Sequence, residues 1–330
     1  MRDQESLDGG APASTTPRSV QGEPRAVVTK RSLFAFLPAQ ALLQQFDAGY
    51  IAHPTSKDEL LEAWESARKE LAKLGPSSRS FFTPADYRDL VGVPSDSVEE
   101  LVRRLKSYSP FDSHPTAVRV VRVAKLVTPQ LMVNMARLER RASLKRDLTD
   151  QELFGVSFEA GRNPEPVVRQ TLGMAPNGGS LMFTSYDEDI RLHQPPMFRK
   201  LSISEKDRRS TELESICFPV GGGTPFAYAF KVELLPGVQR LILANGIHRA
   251  AAAALAGVEW LPLAVCDLTA MELPDQFVDT PKPMLLDPGF NAPTIADFTR
   301  EGVVINLDYY RQLRTVRFNW NFENYAVGLR

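Results

Sequence analysis

The chain has 330 residues, 43% of them hydrophobic and 24% charged, and a formal net charge of −1. That balance is ordinary for a globular protein. It leaves material for one large domain or two smaller ones and excludes a global charge that would draw nucleic acid or an anionic membrane. The two cysteines, Cys217 and Cys266, stand far apart in apolar runs. No disulfide framework or zinc spacing can be built from them, and free buried thiols fit a cytoplasmic location.

Residues 1–26 are rich in Gly, Pro, Ser and Thr. They bury too little apolar surface to offset ordering entropy and read as a disordered tail, with no apolar segment of the signal-peptide kind. The run Leu33 to Leu37 is far too short to span a bilayer. A helical region is expected next. Ala41, Leu42, Leu43 and Phe46 make a stripe ended by Gly49. Ser56 and Glu59 form a capping box ahead of Leu60, Leu61, Trp64, Ala67 and Leu71 at helical spacing, with Gly75-Pro76 as the stop. Thr83-Pro84 opens a short helix, and Ser97 with Glu100 reads as another capping box. Residues 27–110 therefore read as a helical N-terminal region, and nothing in them looks catalytic.

Near Ser109 the pattern turns to strands. Val118, Val120 and Val123 alternate with Arg119 and Arg122; Leu131 to Val133, Leu181 to Tyr186, Val303 to Leu307 and Thr315 to Phe322 follow. Phe226–Leu235 and Val238–Ala244 read as a hairpin closed at Pro236-Gly237. Residues 111–330 thus read as an α+β region with a C-terminal strand extension.

The segment with functional character is Leu241 to Cys266: an apolar strand, the turn Asn245-Gly246-Ile247-His248-Arg249, five alanines, Gly257, and a second apolar strand. Gly246 lets a ligand approach the backbone closely. The first turn of the helix has N–H groups without intrahelical partners at the positive end of the dipole, a natural site for phosphate or carboxylate. Arg249 offers a bidentate donor for phosphate oxygens. His248 is the candidate acid or base. The alternative is that His248 and Arg249 cap neighbouring carbonyls or pair with an acid.

This strand–turn–helix–strand segment resembles the ParB/sulfiredoxin-like superfamily, and Asn245 to Arg249 is most similar to the Asp-Gly-His-His-Arg turn of its free-serine kinases. The resemblance covers about 26 residues, extended loosely upstream through Gly161 to Val168. It implies a mixed sheet with helices, and a nucleotide (CTP, ATP or ADP) or phosphorylated small molecule held by Asn245, Gly246, His248 and Arg249. Asp187, Glu188 and Asp189 read as a solvated turn, with magnesium binding as the alternative if a nucleotide is held. Ile247 stands where sulfiredoxins carry a reactive cysteine, which argues against sulfinate repair. Asn245 stands where the kinases carry an acid, which weakens phosphoryl transfer. No helix-turn-helix like that of the partition proteins follows.

Three readings follow: a nucleotide-binding protein with hydrolysis or phosphoryl transfer, a non-catalytic binding or assembly protein of the same fold, and a nucleic-acid-associated protein using the basic segment 101–146. That basic segment reads equally as the solvated outer face of helices and strands. Gly221 to Thr224 lacks the Lys-Thr ending of a P-loop; His53, His114 and His193 show no metal spacing, and Trp260 and Trp320 read as core.

Overall fold

The computed structural model describes residues 26–54, 56–106, 111–139, 144–159, 169–175, 178–185, 191–192, 197–201, 213–217, 220–221, 226–273, 279–312 and 314–321. In chain order these form β1 (Val27–Ser32), α1 (Ala39–Asp47), β2 (Ile51–His53), α2 (Lys57–Ala72), β3 (Tyr87–Arg88), α3 (Ser95–Leu105), β4 (Thr116–Arg122), β5 (Leu126–Val127), β6 (Met132–Asn134), α4 (Met135–Glu139), α5 (Asp150–Phe154), β7 (Arg169–Ala175), β8 (Gly178–Ser185), β9 (Arg191–Leu192), β10 (Met197–Leu201), β11 (Leu213–Cys217), β12 (Val220–Gly221), β13 (Tyr228–Leu235), β14 (Val238–Asn245), α6 (Ile247–Leu255), β15 (Trp260–Leu268), α7 (Lys282–Leu286), β16 (Ile305–Tyr310) and β17 (Arg314–Asn321). The class is α+β. No helix among the described residues is long and apolar enough to cross a membrane.

The centre is a six-stranded mixed sheet in the order β3-β4-β15-β13-β14-β5. β13 and β14 form the expected hairpin, with Gly237 at φ 77 in its turn. β15 runs parallel to β13 and antiparallel to β4. Both faces of this sheet are covered. Val121, Leu241, Leu243, Leu261, Leu263 and Val265 enter one core with α6; Val118, Phe230, Val232, Ile242, Ala264 and Cys266 enter the other with Leu101 and Leu105 of α3. Burial on two faces explains why β15 reads as an unbroken apolar run rather than an alternating one. Cys266 is a buried free thiol, and that burial pushes its pKa up.

The N-terminal region departs from a bundle of helices. β1 and β2 belong to a four-stranded antiparallel sheet, order β2-β16-β1-β6, that joins residues 27–53 to 305–310. α2 starts as expected, with Ser56 Oγ accepting from the Glu59 amide at 3.2 Å. The Ser97–Glu100 capping box does not form. α3 begins at Ser95 after Pro94, so Ser97 lies inside the helix and Glu100 pairs with Arg103 instead. Proline at the residue before the helix sets the extended entry that the serine was expected to provide.

Three arginines bind the segment 284–301 to the N-terminal half. Arg79 holds the Asp297 carboxylate at 2.8 and 2.9 Å. Arg31 donates to the Phe298 carbonyl and pairs with Glu301 at 2.7 Å. Arg240, with no exposed surface, donates to Ser80 Oγ and to the carbonyls of Leu285, Asp287 and Phe290 at 3.2, 2.8, 3.0 and 2.6 Å. Burial pulls its pKa down to about 10, against the pull of Asp287 and aided by Arg79, so the group stays cationic at neutral pH.

A separate three-stranded antiparallel sheet, β17-β8-β7, carries the remaining long strands. Its register places Leu172, Leu181 and Phe318 in one row on one face.

Candidate functional site

β14 ends at Asn245, Gly246 turns the chain, and α6 begins at Ile247. Gly246 adopts φ 94 and ψ 17, the left-handed region open to glycine. Space demands glycine as well: a Cβ there would stand 2.8 Å from Ala227 Cβ and 3.2 Å from Ala227 Cα. The helix is locked at its other end by Gly257 at φ 74, with Val258 N–H bonded to Ala253 O and Gly257 N–H to Ala254 O, a Schellman closure. Between the two glycines, Ala250, Ala251 and Ala253 are fully buried. Their small side chains let the helix backbone lie close to the sheet.

The three polar side chains of the turn face inward. Asn245 donates from Nδ2 to the Phe226 carbonyl. Arg249, 7% exposed, donates from Nη1 to the Ser157 carbonyl. His248 Nε2 accepts from the Asn134 amide at 3.1 Å, which places the proton of its neutral ring on Nδ1. The turn thus gathers main-chain atoms from three other segments, at 134, 157 and 226. The guanidinium stays at the helix entrance, since the space a Cβ on Gly246 would occupy is 3.9 Å from Arg249 Nε.

Two oxygens around this joint have no hydrogen-bond partner among the described residues: Asn134 Oδ1 and Ser157 Oγ. Ser157 has no exposed surface. They belong to the same residues whose main-chain atoms hold His248 and Arg249. Buried polar groups are normally paired, so two orphans at one junction call for an explanation.

The other candidates separate from this site. Glu188 with its acidic neighbours, His193 and residues 222–224 lie outside the described residues. Among the described residues no group of three His, Cys, Asp or Glu side chains could hold a metal ion. His114 lies 3.7 Å from Glu272, and His53 lies in β2. In the basic segment, Arg103 pairs with Glu100, Arg119 with Asp89, and Arg122 with Asp86 and Glu259. Arg137 is buried. Trp260 is half-buried rather than core, with the guanidinium carbons of Arg122 and Arg88 at 4.8 and 5.6 Å from its ring. Asn134, Ser157 and Ala227 were not legible as site residues, because each is brought to the turn by a distant segment. No family model, characterised protein or solved structure matches the chain.

Proposed function

We propose that the Asn245–Arg249 turn and the start of α6 bind a nucleotide or another phosphorylated small molecule, within a ParB/sulfiredoxin-like domain. The first amides of α6 have no intrahelical acceptor and lie at the positive end of the helix dipole. Ala227 packs against Gly246, and Arg249 brings a cation to the same entrance. The observation that carries the reading is the buried, unpartnered Ser157 hydroxyl, on the residue whose carbonyl fixes Arg249. A ligand group that entered this junction would satisfy it, since the hydroxyl itself has no exposed surface. The order β14, left-handed glycine, α6, β15 also matches the element order of the family resemblance.

One observation favours binding without phosphoryl transfer. Asn245 donates its amide to a carbonyl. A carboxylate there would set acceptor against acceptor, so the position where the kinases carry an acid is used here as a donor. His248 remains the candidate acid or base if chemistry occurs, and its Nε2 is engaged with the Asn134 amide.

Titration calorimetry with CTP, ATP and ADP, with and without magnesium, tests the proposal on the full chain. At least one nucleotide is expected to bind, and Arg249→Ala to weaken it by about tenfold or more. If none of the three binds the folded wild type, the proposal fails. A phosphate-release assay on the same samples separates a hydrolase from a binder.

A further inference from the structure

On the face of the six-stranded sheet that also carries α6, a groove of about 220 Å³ is lined by β3, β4, β13 and β15 and by the segment before β3. Its floor is apolar, from Ala117 and Val121 of β4 and Val265 of β15. One wall is aromatic: Phe82 and Tyr87 stack with ring centroids 5.5 Å apart and planes 17° apart. Phe82 is buried, whereas Tyr87 is 39% exposed and leaves ring surface to the groove. The mouth carries Arg119, Lys231 and Asp267.

We infer that this groove is a second ligand site, distinct from the Asn245–Arg249 turn, for a small aromatic carboxylate, with the ring against Tyr87 and the carboxylate on Arg119. Size restricts the ligand first. With about 30 Å³ for each water in liquid, the groove of about 220 Å³ holds the equivalent of about seven waters, below the usual range of about 300–1,000 Å³ for cofactor sites. A single ring with one substituent fits that space.

Charge decides the substituent. The lining has two cations and one anion. Lys231 is held by Asp267 at 2.7 Å, and both side chains are partly shielded. Arg119 is held by Asp89, whose carboxylate is 85% exposed. An exposed pair contributes little, so a ligand carboxylate can take the place of Asp89 on Arg119.

Register places the two recognition groups at the right separation. Tyr87 pairs with Val121, and Arg119 lies two residues before Val121 on the same face. Diagonal neighbours of this kind lie within reach of an aromatic ring and a long side chain, at about 7–8 Å between backbone positions. A ring and its directly attached carboxylate span that gap.

The probe is sodium benzoate, with neutral benzamide as the matched control, titrated into the full-length protein and followed by amide chemical shifts. Saturable benzoate binding is expected, with benzamide about tenfold weaker or more. Arg119→Met and Tyr87→Ala should each weaken benzoate by a comparable factor, while Lys231→Met should change it less than about threefold. CD spectra and melting curves establish that each variant is folded. Absence of saturation, equal binding of benzamide, or binding indifferent to Arg119→Met would overturn the inference. Because no residue of the turn lines the groove, Arg249→Ala should leave benzoate binding intact, so this site and the nucleotide site fail independently.

Discussion

Gly246→Ala is the most informative single change at the turn. Two costs add. An alanine at φ 94 pays a left-handed backbone penalty, about 1–2 kcal/mol. Its Cβ also meets Ala227 at 2.8 Å from Cβ and 3.2 Å from Cα. This neighbour is backbone and a methyl group, with no flexible end to move, and overpacking of that kind costs about 1–3 kcal/mol. The sum is about 2–5 kcal/mol, a large fraction of the stability of an ordinary domain. At about 2–4 °C per kcal/mol for a large domain, the melting temperature should fall by about 4–20 °C. Gly237→Ala is the control: its φ is 77, with nothing within 4 Å of the added Cβ, so it isolates the backbone term. Urea unfolding of both variants, with Ala227→Gly added to Gly246→Ala in a double-mutant cycle, should give a coupling of about 0.5–3 kcal/mol. If Gly246→Ala and Gly237→Ala cost the same and no coupling with Ala227 appears, the close approach at the turn is wrong.

Two further changes test the frame around the site. Arg240→Met removes the donor to the carbonyls of Leu285, Asp287 and Phe290 and should cost about 1–3 kcal/mol in urea unfolding. It should also increase amide exchange or proteolysis within 284–301 before the rest of the chain. Asp150 is held below the usual carboxylate range by its hydrogen bonds from Arg88, despite burial, with help from the Val91 amide. Its folded pKa is depressed, so its contribution is present above the unfolded value and is lost as pH falls through the folded one. Asp150→Asn should cost about 1–2 kcal/mol at neutral pH, and its difference from wild type should close as pH drops below about 4. A difference that widens in acid would reverse that sign.

The features legible in the sequence are those set by neighbours along the chain. The Ser56 cap, the β13–β14 hairpin, the alanine helix and Gly257 each depend on a few adjacent residues, and each stands where the pattern places it. The Ser97 cap failed for an equally local reason, because Pro94 three residues earlier fixes the start of α3. β1 was hidden because its partner strands begin about 100 and 270 residues away, and only its last two positions are buried. Arg240 lies in a strand read from its apolar neighbours, and only the distant 284–290 segment makes it a buried anchor. The turn divides in the same way. Its glycine and helix start were visible, but the inward direction of Asn245, His248 and Arg249 depends on acceptors and donors at 226, 134 and 157.

That inward direction changes what a loss of binding means. Arg249 ties α6 to residue 157, so Arg249→Ala removes a fold contact and a ligand contact together. Ser157→Ala separates them. The Ser157 hydroxyl is buried and has no partner among the described residues, so removing it relieves an unsatisfied group, and the ligand-free protein should gain stability or keep it, within about 1 kcal/mol. If the hydroxyl waits for a ligand, nucleotide affinity should fall about threefold to tenfold in the same variant. Stability retained with affinity reduced is a pattern that a purely structural role cannot give. Stability retained with nucleotide affinity unchanged would show that the orphaned hydroxyl is a packing defect, and would remove the observation on which the nucleotide reading rests.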